Sequence, residues 1–458
     1  MPSRINSWIS VAFCTAAALA FAVQCLLPNF IGIANNGDQT KVYAWFSLAP
    51  RPPETPFIYF QPDYVYAARK FWDSPFHSSE TTLAWVATHL AGATHEGATF
   101  DIRWLGAIHA TLFLAAFALL LRTWRALPPW ALAASAIAPL LFFTDVFYTA
   151  YFNSFFMDAA AICGLLLMTS TAVWLATTRG AMPLCCFTAA ALFFVTAKTQ
   201  HCVWMSLPAA FLIAQGIRHK QRILATVAAT LVLLAGTAML ISTDPGYPGQ
   251  AMFNVVFYRL GPSGVDLREL GIHSSELRYI GTHSYSRGSP TESRGYSEQF
   301  ASRIGIVRLL TWYARHPALT LHYIGLTLSD SAPEMRPFTL SNFPQSAGQP
   351  PAAHTTRWAL WSNWRATCLR RWPWQMPAWY LLFISACLAG KSRLKWVALG
   401  VAALGAGEFF AASLGDALDA SRHLFLFHAA TDITICFALG WAVTCVTQRY
   451  PATIRKTP

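Results

Sequence analysis

The chain has 458 residues, of which 55% are hydrophobic and only 12% are charged, about half the charged share that is usual for a soluble protein. This composition excludes a disordered chain, a coiled coil and a disulfide-rich secreted scaffold, and it argues against a large soluble enzyme. Lys and Arg number 33 against 21 Asp and Glu, a formal net charge of +12, and in so apolar a chain the positions of these charges report membrane topology.

The hydrophobic pattern predicts an all-α polytopic membrane protein, because a helix needs roughly 20 mostly apolar residues to cross the hydrocarbon core. We expect about ten such helices, at 8–27, 105–122, 129–145, 157–177, 181–197, 202–217, 223–242, 376–390, 396–414 and 424–447. The first segment lacks a small-residue cleavage site, so we interpret it as a retained helix rather than a signal peptide.

The basic residues predict the orientation of the helices. If the N-terminus is cytoplasmic, the cytoplasmic turns carry 13 of the Lys and Arg residues and no Asp or Glu, whereas the remaining 20 cations and all 21 acids lie elsewhere. This pattern follows the positive-inside rule and favours an even number of spans with both termini in the cytoplasm. The +12 charge therefore indicates topology, and we expect no nucleic-acid partner.

Two segments that cannot cross a membrane fall on the outer side of this topology, an outer loop at 28–104 and a segment at 243–375. We therefore divide the chain into an N-terminal transmembrane part (1–242), an extracytoplasmic segment (243–375) and C-terminal transmembrane helices (376–458). Short amphipathic helices are expected in the outer segments, and Pro-rich, Ser-rich or Gly-rich stretches are expected to be loops. The helices are placed at 63–72, 80–92 and 301–327, and the loops at 281–296 and 331–353.

Four polar clusters fall on this same outer face, where charges close to the bilayer default to functional hypotheses. The clusters are Asn35-Asn36-Gly37-Asp38, Thr144 to Asp158, Lys198-Thr199-Gln200-His201, and Glu408 with Asp416 to His423 and Asp432. Each also has a structural interpretation that the sequence leaves open. These are a loop turn for Asp38, helix capping for Asp145 or Asp158, snorkelling for Lys198, and a plain salt bridge between Arg422 and Asp416 or Asp419.

The whole layout resembles the GT-C superfamily of integral-membrane glycosyltransferases, in which a carboxylate follows the first helix at the start of a large outer loop. Asn36-Gly37-Asp38 is similar to that carboxylate position. Three local stretches resemble bacterial hexose transferases of S-layer or surface glycan synthesis: 254–258 with 266–271, 151–155, and 198–201. One departure is that Gln39 follows Asp38 and no Asp-x-Asp lies near it, which leaves the use of a divalent metal open.

The resemblance implies a hexosyltransferase that uses a polyprenyl-phosphate sugar donor and a surface glycan or lipid acceptor at the extracytoplasmic face of a bacterial inner membrane. Asp38 would then be the general base that takes the proton of the acceptor hydroxyl. Cations would stabilise the phosphate of the leaving group, and further polar residues would hold sugar hydroxyls. The candidates are Lys198, His201, Arg422 and His423 for the phosphate, and Asp145, Tyr148, Tyr151, Asn153 and Asp158 for the sugar or acceptor.

Aromatic residues of the first outer loop are candidates for stacking on sugars, although such residues are more often core or interfacial. They are Tyr43, Trp45, Tyr59, Tyr64, Tyr66 and Trp72. The main alternative function is a transporter or flippase of a lipid-linked saccharide, which Glu408 and Asp432 keep open. It is disfavoured by the absence of an internal repeat and by the long outer segment. Other membrane transferases and a non-enzymatic scaffold are further alternatives.

Overall fold

The computed structural model describes residues 4–52, 55–67, 76–92, 95–244, 246–336 and 340–449. Its α-helices are α1 (Arg4–Phe21), α2 (Thr40–Tyr43), α3 (Ser79–Ala91), α4 (Arg103–Thr123), α5 (Pro129–Phe143), α6 (Val146–Thr149), α7 (Met157–Thr177), α8 (Ala181–Val195), α9 (Thr199–Cys202), α10 (Ser206–His219), α11 (Arg222–Ser242), α12 (Gly246–Phe253), α13 (Arg294–Ile304), α14 (Ile306–Arg315), α15 (Pro317–Leu326), α16 (Leu360–Arg371), α17 (Gln375–Ala389), α18 (Lys395–Gly415), α19 (Ala420–His423) and α20 (Phe425–Arg449). The strands are β1 (Leu48–Pro50), β2 (Asp63–Tyr66) and β3 (Thr99–Asp101).

Within these described ranges, six helical stretches are long and apolar enough to cross a membrane, or seven if the bent pair α5–α6 is one span. The ten predicted segments are all helical, which confirms a mostly helical membrane protein. The count of ten crossings is not confirmed, because α8 and α17 have only 15 residues and α10 has 14. The cytoplasmic position of the termini stays a prediction.

Helix α7 forms the centre of the bundle. Of its most apolar 18-residue window, 89% is buried, against 33% for α1 and for α11. Its residues are apolar on every side, the pattern of a helix surrounded by others, and it packs against α4 and α8. Asp158 lies in the first turn of α7 and is itself buried, at 4% exposure.

The described residues between α1 and α4 and those between α11 and α16 form what we call the loop layer, at one end of the bundle. Its first part contains an antiparallel sheet in the order β1-β2-β3. The helix predicted at 63–72 is wrong over Asp63–Tyr66, which form β2; residues 68–72 lie outside the described part. The reason is the alternation of this stretch, in which Tyr64 and Tyr66 are buried while Asp63 and Val65 are half-buried, the period of a strand.

The other two predicted loop-layer helices are confirmed in outline. The helix expected at 80–92 is α3, and its preceding Ser78 accepts a hydrogen bond from the backbone of Glu80 as an N-cap. The stretch 301–327 is helical but divided into the end of α13, α14 and α15. The breaks fall at Gly305, which has φ of 62°, and before Pro317, where a proline starts α15.

Candidate functional site

Asp38 lies in a tight turn of the loop that follows the first span, which ends at Leu26. The side chain of Asn35 accepts hydrogen bonds from the backbone N–H groups of Gly37 and Gln39 at 2.8 and 3.2 Å, and Asn36 accepts one from Asp38 at 3.1 Å. Gly37 has φ of +104°, a conformation that favours glycine. The turn interpretation is therefore confirmed as the means by which the carboxylate of Asp38 is positioned.

Two cations hold the Asp38 carboxylate. Lys41, one turn away on α2, donates to one oxygen at 2.7 Å, and Arg422 on α19 donates to the other at 2.6 Å. Burial by itself would raise the pKa of Asp38, but Arg422, Lys41 and Lys198 hold that pKa well below its usual range. A loop of the N-terminal half is thus joined to the last span by a charged contact.

Arg422 connects this pair to a second carboxylate. Its Nε donates to Asp419 at 2.6 Å, and its Nη1 lies 3.6 Å from an oxygen of Asp158. The salt bridge with Asp419 expected from the sequence is confirmed, and it is one of three contacts that Arg422 makes with carboxylates. Arg422 is 4% exposed, so these contacts are made away from bulk water, where charge interactions are stronger.

Lys198 completes the cluster. Its Nζ donates to both oxygens of Asp158, at 3.0 and 3.3 Å. Lys198 is 8% exposed, so it points into the protein instead of snorkelling towards the membrane surface. Asp38, Asp158, Lys198 and Arg422, which come from four distant parts of the chain, therefore meet in one place, as the sequence predicted.

A cavity of about 310 Å³ opens beside this cluster. Its wall includes Asp38, Asp158 and Lys198, and also apolar side chains of α11 and α18. Two residues of its wall, Val203 and Leu240, are 51% and 42% exposed on the outside of the bundle. The cavity therefore joins a charged inner wall to an apolar rim, the arrangement that an amphiphile with a polar head would occupy.

The charges of the cluster are nearly balanced. The cluster contains three Lys or Arg side chains and four carboxylates. They are Lys41, Lys198 and Arg422, and Asp38, Asp158, Asp416 and Asp419. His423 pairs with Asp416 at 2.6 Å. An anionic ligand that binds these cations must therefore replace the carboxylates as their partners. The carboxylates would then lose their pairing with the cations.

His201 lies behind the wall of the cavity. Its Nδ1 is 2.8 Å from Glu408, and the same carboxylate accepts from Gln200 and from the indole of Trp204, both at 2.6 Å. These contacts with Glu408 fix the position of the turn that contains Lys198. The geometry makes His201 a support for this turn, and a phosphate-binding role for it stays a prediction.

Three of the predicted sugar-binding residues lie outside the cavity and hold the scaffold. Asp145 accepts from the backbone of Phe147 at 2.9 Å as the N-cap of α6, which confirms the capping interpretation. Tyr148 donates to Asp432 at 2.6 Å. Asn153 donates to the carbonyls of residues 25 and 31 at 2.9 and 2.7 Å. These side chains are at most 3% exposed, because the stretch 144–156 is a packed corner between two helices.

The other two predicted sugar-binding residues, Asp158 and Tyr151, lie closer to the cluster. Asp158 belongs to it directly. Tyr151 is 2% exposed and packs against Phe156, whose ring lines the cavity and lies 5.5 Å from the guanidinium of Arg422. Tyr151 therefore supports the wall from behind.

Of the predicted stacking residues, Tyr43, Tyr64 and Tyr66 are at most 6% exposed and belong to the core. Trp45 and Tyr59 are half-buried, and Trp72 lies outside the described residues.

Sequence reasoning missed three residues of these networks. Lys41 pairs with Asp38, a contact that its spacing of three residues would have allowed. Tyr247 on α12 lines the cavity with Lys41 4.4 Å from its ring centre, and burial raises the pKa of Tyr247 to about 12, so its hydroxyl stays a donor. Arg365 is the buried partner of Asp432, at 2.5 Å; its distance of 67 residues along the chain leaves no local signal.

Within the described ranges, no group of three or more His, Cys, Asp or Glu side chains is arranged to hold a metal ion. The carboxylates of the cluster are paired with Lys, Arg or His, which would compete with a cation for the same oxygens.

Comparison with known proteins places this chain in a family. No curated protein matches it. The model of the family described as the YfdI N-terminal transmembrane domain matches residues 3–456, nearly the whole chain. The chain therefore belongs to the YfdI N-terminal transmembrane domain family, a family of membrane proteins.

Proposed function

We propose that the protein is a membrane glycosyltransferase that moves a hexose from a polyprenyl-phosphate donor to a surface glycan or lipid acceptor at the extracytoplasmic face. The observation that carries this proposal is the direct contact between the buried Arg422 and Asp38, which lies in the wall of a cavity with an apolar rim. A base and a phosphate-binding cation must both reach the reacting sugar, and here they lie within hydrogen-bonding distance of each other.

The reaction assigns one task to each side of the cluster. Asp38 takes the proton of the acceptor hydroxyl as its oxygen bonds to the anomeric carbon. The bond from that carbon to the phosphate oxygen breaks, and the polyprenyl phosphate leaves with the bonding electron pair. Arg422 and Lys198 stabilise the charge that develops on the phosphate, while the prenyl chain leaves the cavity over its apolar rim.

The near balance of charges gives the donor a second role. While Arg422 and Lys41 hold Asp38 at 2.6 and 2.7 Å, the low pKa of its carboxylate makes it a weak base. A donor phosphate that takes over these cations removes that restraint, and the basicity of Asp38 rises. The base would therefore be strong only when a donor is bound, which disfavours deprotonation of an acceptor that is bound alone.

The transporter alternative receives less support from the two carboxylates on which it rested. Glu408 accepts hydrogen bonds from Gln200 and Trp204 and contacts His201. Asp432 accepts from Tyr148, Trp361 and Arg365. Both are 0% exposed. Carboxylates surrounded by donors in this way are typical of structural anchors, whereas a transport site would need groups that are free to exchange partners.

The test uses the purified chain in lipid nanodiscs with polyprenyl-phosphate glucose, galactose and mannose, and a lipid extract of envelope glycans as acceptor. Release of polyprenyl phosphate is measured. We expect Asp38→Asn to lower the rate at least about 100-fold, the size typical of a lost general base, and Asp330→Asn, a change at an exposed carboxylate, to leave it unchanged. Release by Asp38→Asn at the unaltered rate would remove Asp38 as the base.

A second arm tests the phosphate-binding side. Polyprenyl phosphate alone should raise the unfolding temperature of the unaltered chain, because a ligand that binds only the folded state stabilises it. Lys198→Met should reduce this rise. An equal rise in both proteins would show that the phosphate binds elsewhere.

A further inference from the structure

A second cavity, of about 690 Å³, lies in the loop layer. It is enclosed by the end of the first span, the start of β2, the end of β3 and the stretch 343–358. Its wall shares no residue with the wall of the cavity beside Asp38. Its volume is within the ~300–1,000 Å³ range of small-molecule sites, and the proposed transfer reaction makes no use of it.

The cavity is held open by hydrogen bonds between the two halves of the loop layer. Asn342 and Gly32 are joined by two hydrogen bonds. The backbone N–H of Gly32 donates to the carbonyl of Asn342 at 3.2 Å, and the side-chain amide of Asn342 donates to the carbonyl of Gly32 at 2.9 Å. The backbone N–H of Phe60 donates to Phe343 at 2.9 Å. The site is therefore formed before any ligand arrives, which lowers the entropic cost of binding.

The wall combines aromatic faces with charged groups of both signs. Trp358 is 46% exposed and lines the cavity, and the guanidinium of Arg103 lies 5.0 Å from the ring centre of Phe30. The same wall contains two carboxylates, Asp63 and Asp101, and two guanidinium groups, Arg103 and Arg357. The pairing of signs favours a neutral ligand rich in hydroxyl groups over an anion or a cation.

Trp358 is held at a cost to the folded state. Its backbone has φ of 60°, a left-handed conformation that is unfavourable for a bulky residue. The carbonyl of Trp358 accepts a hydrogen bond from the backbone N–H of Val146 at 2.9 Å, which holds the main chain in this conformation. Strained residues of this kind cluster at ligand sites.

The position of Asp63 is also unfavourable for the stability of the folded protein. It stands directly opposite Asp101 in the register of β2 and β3, and like charges in that position are destabilising. Arg103 hydrogen-bonds to Asp101, with its Nε 2.8 and 3.0 Å from the two oxygens, and it acts on Asp63, as Arg51 does, only through its charge. Burial and the neighbouring Asp101 raise the pKa of Asp63. Among the described residues no side chain donates to the Asp63 carboxylate, so its oxygens remain available to a ligand.

We propose that this second cavity is a binding site for a neutral saccharide. The exposed face of Trp358 stacks against a sugar ring, and Asp63 accepts hydrogen bonds from sugar hydroxyls while Arg357 donates to sugar oxygens. Under the proposed function the occupant would be part of the acceptor glycan, but the binding rests on this cavity alone and needs neither a donor nor Asp38.

The experiment measures saccharide binding without any donor. Linear neutral trisaccharides of glucose, galactose, mannose and rhamnose are each added to the full chain in nanodiscs, and saturation-transfer NMR reports the contact. Trp358→Gly removes the indole while suiting the left-handed backbone. Phe57→Gly is the matched control, since Phe57 has φ of 67°, is also 46% exposed and lies outside the cavity wall. Asp63→Asn tests the polar side.

We expect at least one trisaccharide to bind, with an affinity about tenfold lower in Trp358→Gly and in Asp63→Asn and unchanged in Phe57→Gly and Asp38→Asn. The proposal is overturned if none of the trisaccharides binds, or if binding survives unaltered in Trp358→Gly and Asp63→Asn. Loss of transfer in Asp38→Asn with retained trisaccharide binding would support both proposals, and retained transfer in Asp38→Asn would remove only the proposed base.

Discussion

The contact between Asp38 and Arg422 allows a quantitative prediction for a double-mutant cycle. Asp38→Asn and Arg422→Met are made singly and together. Arg422→Met removes two hydrogen bonds of 2.6 Å, to Asp38 and Asp419, and leaves Asp158 with Lys198 alone. Breaking a buried ion pair costs about 3–5 kcal/mol. Because the Asp419 side chain is 36% exposed, solvent screens that part of the loss, and we expect about 3 kcal/mol.

Asp38→Asn should cost less, about 1–2 kcal/mol, because asparagine can still accept a hydrogen bond from Arg422. The two changes remove one shared contact, so together they should cost about 1–2 kcal/mol less than the sum of the single losses. The assay is unfolding in mixed micelles by titration with SDS, followed by tryptophan fluorescence. The change in unfolding free energy is compared among the four proteins.

The control cycle pairs Arg422→Met with Asp330→Asn, whose carboxylate is exposed and bonded to its neighbour Ser329. These two losses should add to within about 0.5 kcal/mol. If the losses of unfolding free energy in Asp38→Asn and Arg422→Met add just as closely, the two side chains do not share a contact. Both the cluster and the mechanism built on it are then refuted.

Three further predictions concern the support of the cluster, the packing of the loop layer and pH. Glu408→Gln should raise the KM for the donor more than it lowers kcat, because it loosens the turn that contains Lys198, and kcat/KM should fall about tenfold. Values of kcat and KM equal to those of the unaltered protein would contradict this. Gly249→Ala should destabilise by about 1–3 kcal/mol, since a Cβ there would meet a backbone oxygen at 2.0 Å, whereas Gly295→Ala, with nothing closer than 3.9 Å, should stabilise by about 0.5–1 kcal/mol in thermal unfolding. The folded-state pKa of Asp38 is lowered, so its contribution to stability is present above the unfolded pKa of about 3.9 and is lost as the pH falls below it; Asp38→Asn should flatten the decline of the unfolding temperature between about pH 5 and pH 3.

The sequence alone determined that the chain is a helical membrane protein, because apolar runs and basic turns are local properties that need no knowledge of neighbours. It also singled out Asp38, Asp158, Lys198 and Arg422, since charges beside a bilayer are costly enough to be conspicuous in any sequence. The count of crossings was less certain, because a 15-residue apolar helix such as α8 reads like part of a full span.

Only the tertiary structure decided which polar residues share a site. Asp145, Tyr148 and Asn153 lie in the same stretch as Asp158, yet their side chains hold caps and corners while Asp158 reaches the cavity. Sequence distance does not encode such choices, because they depend on which helix packs beside which. The pairing of Asp38 with Arg422, 384 residues apart, exists only because the first part of the loop layer and the last span meet at one end of the bundle. The cavity beside this pair is a property of that packing.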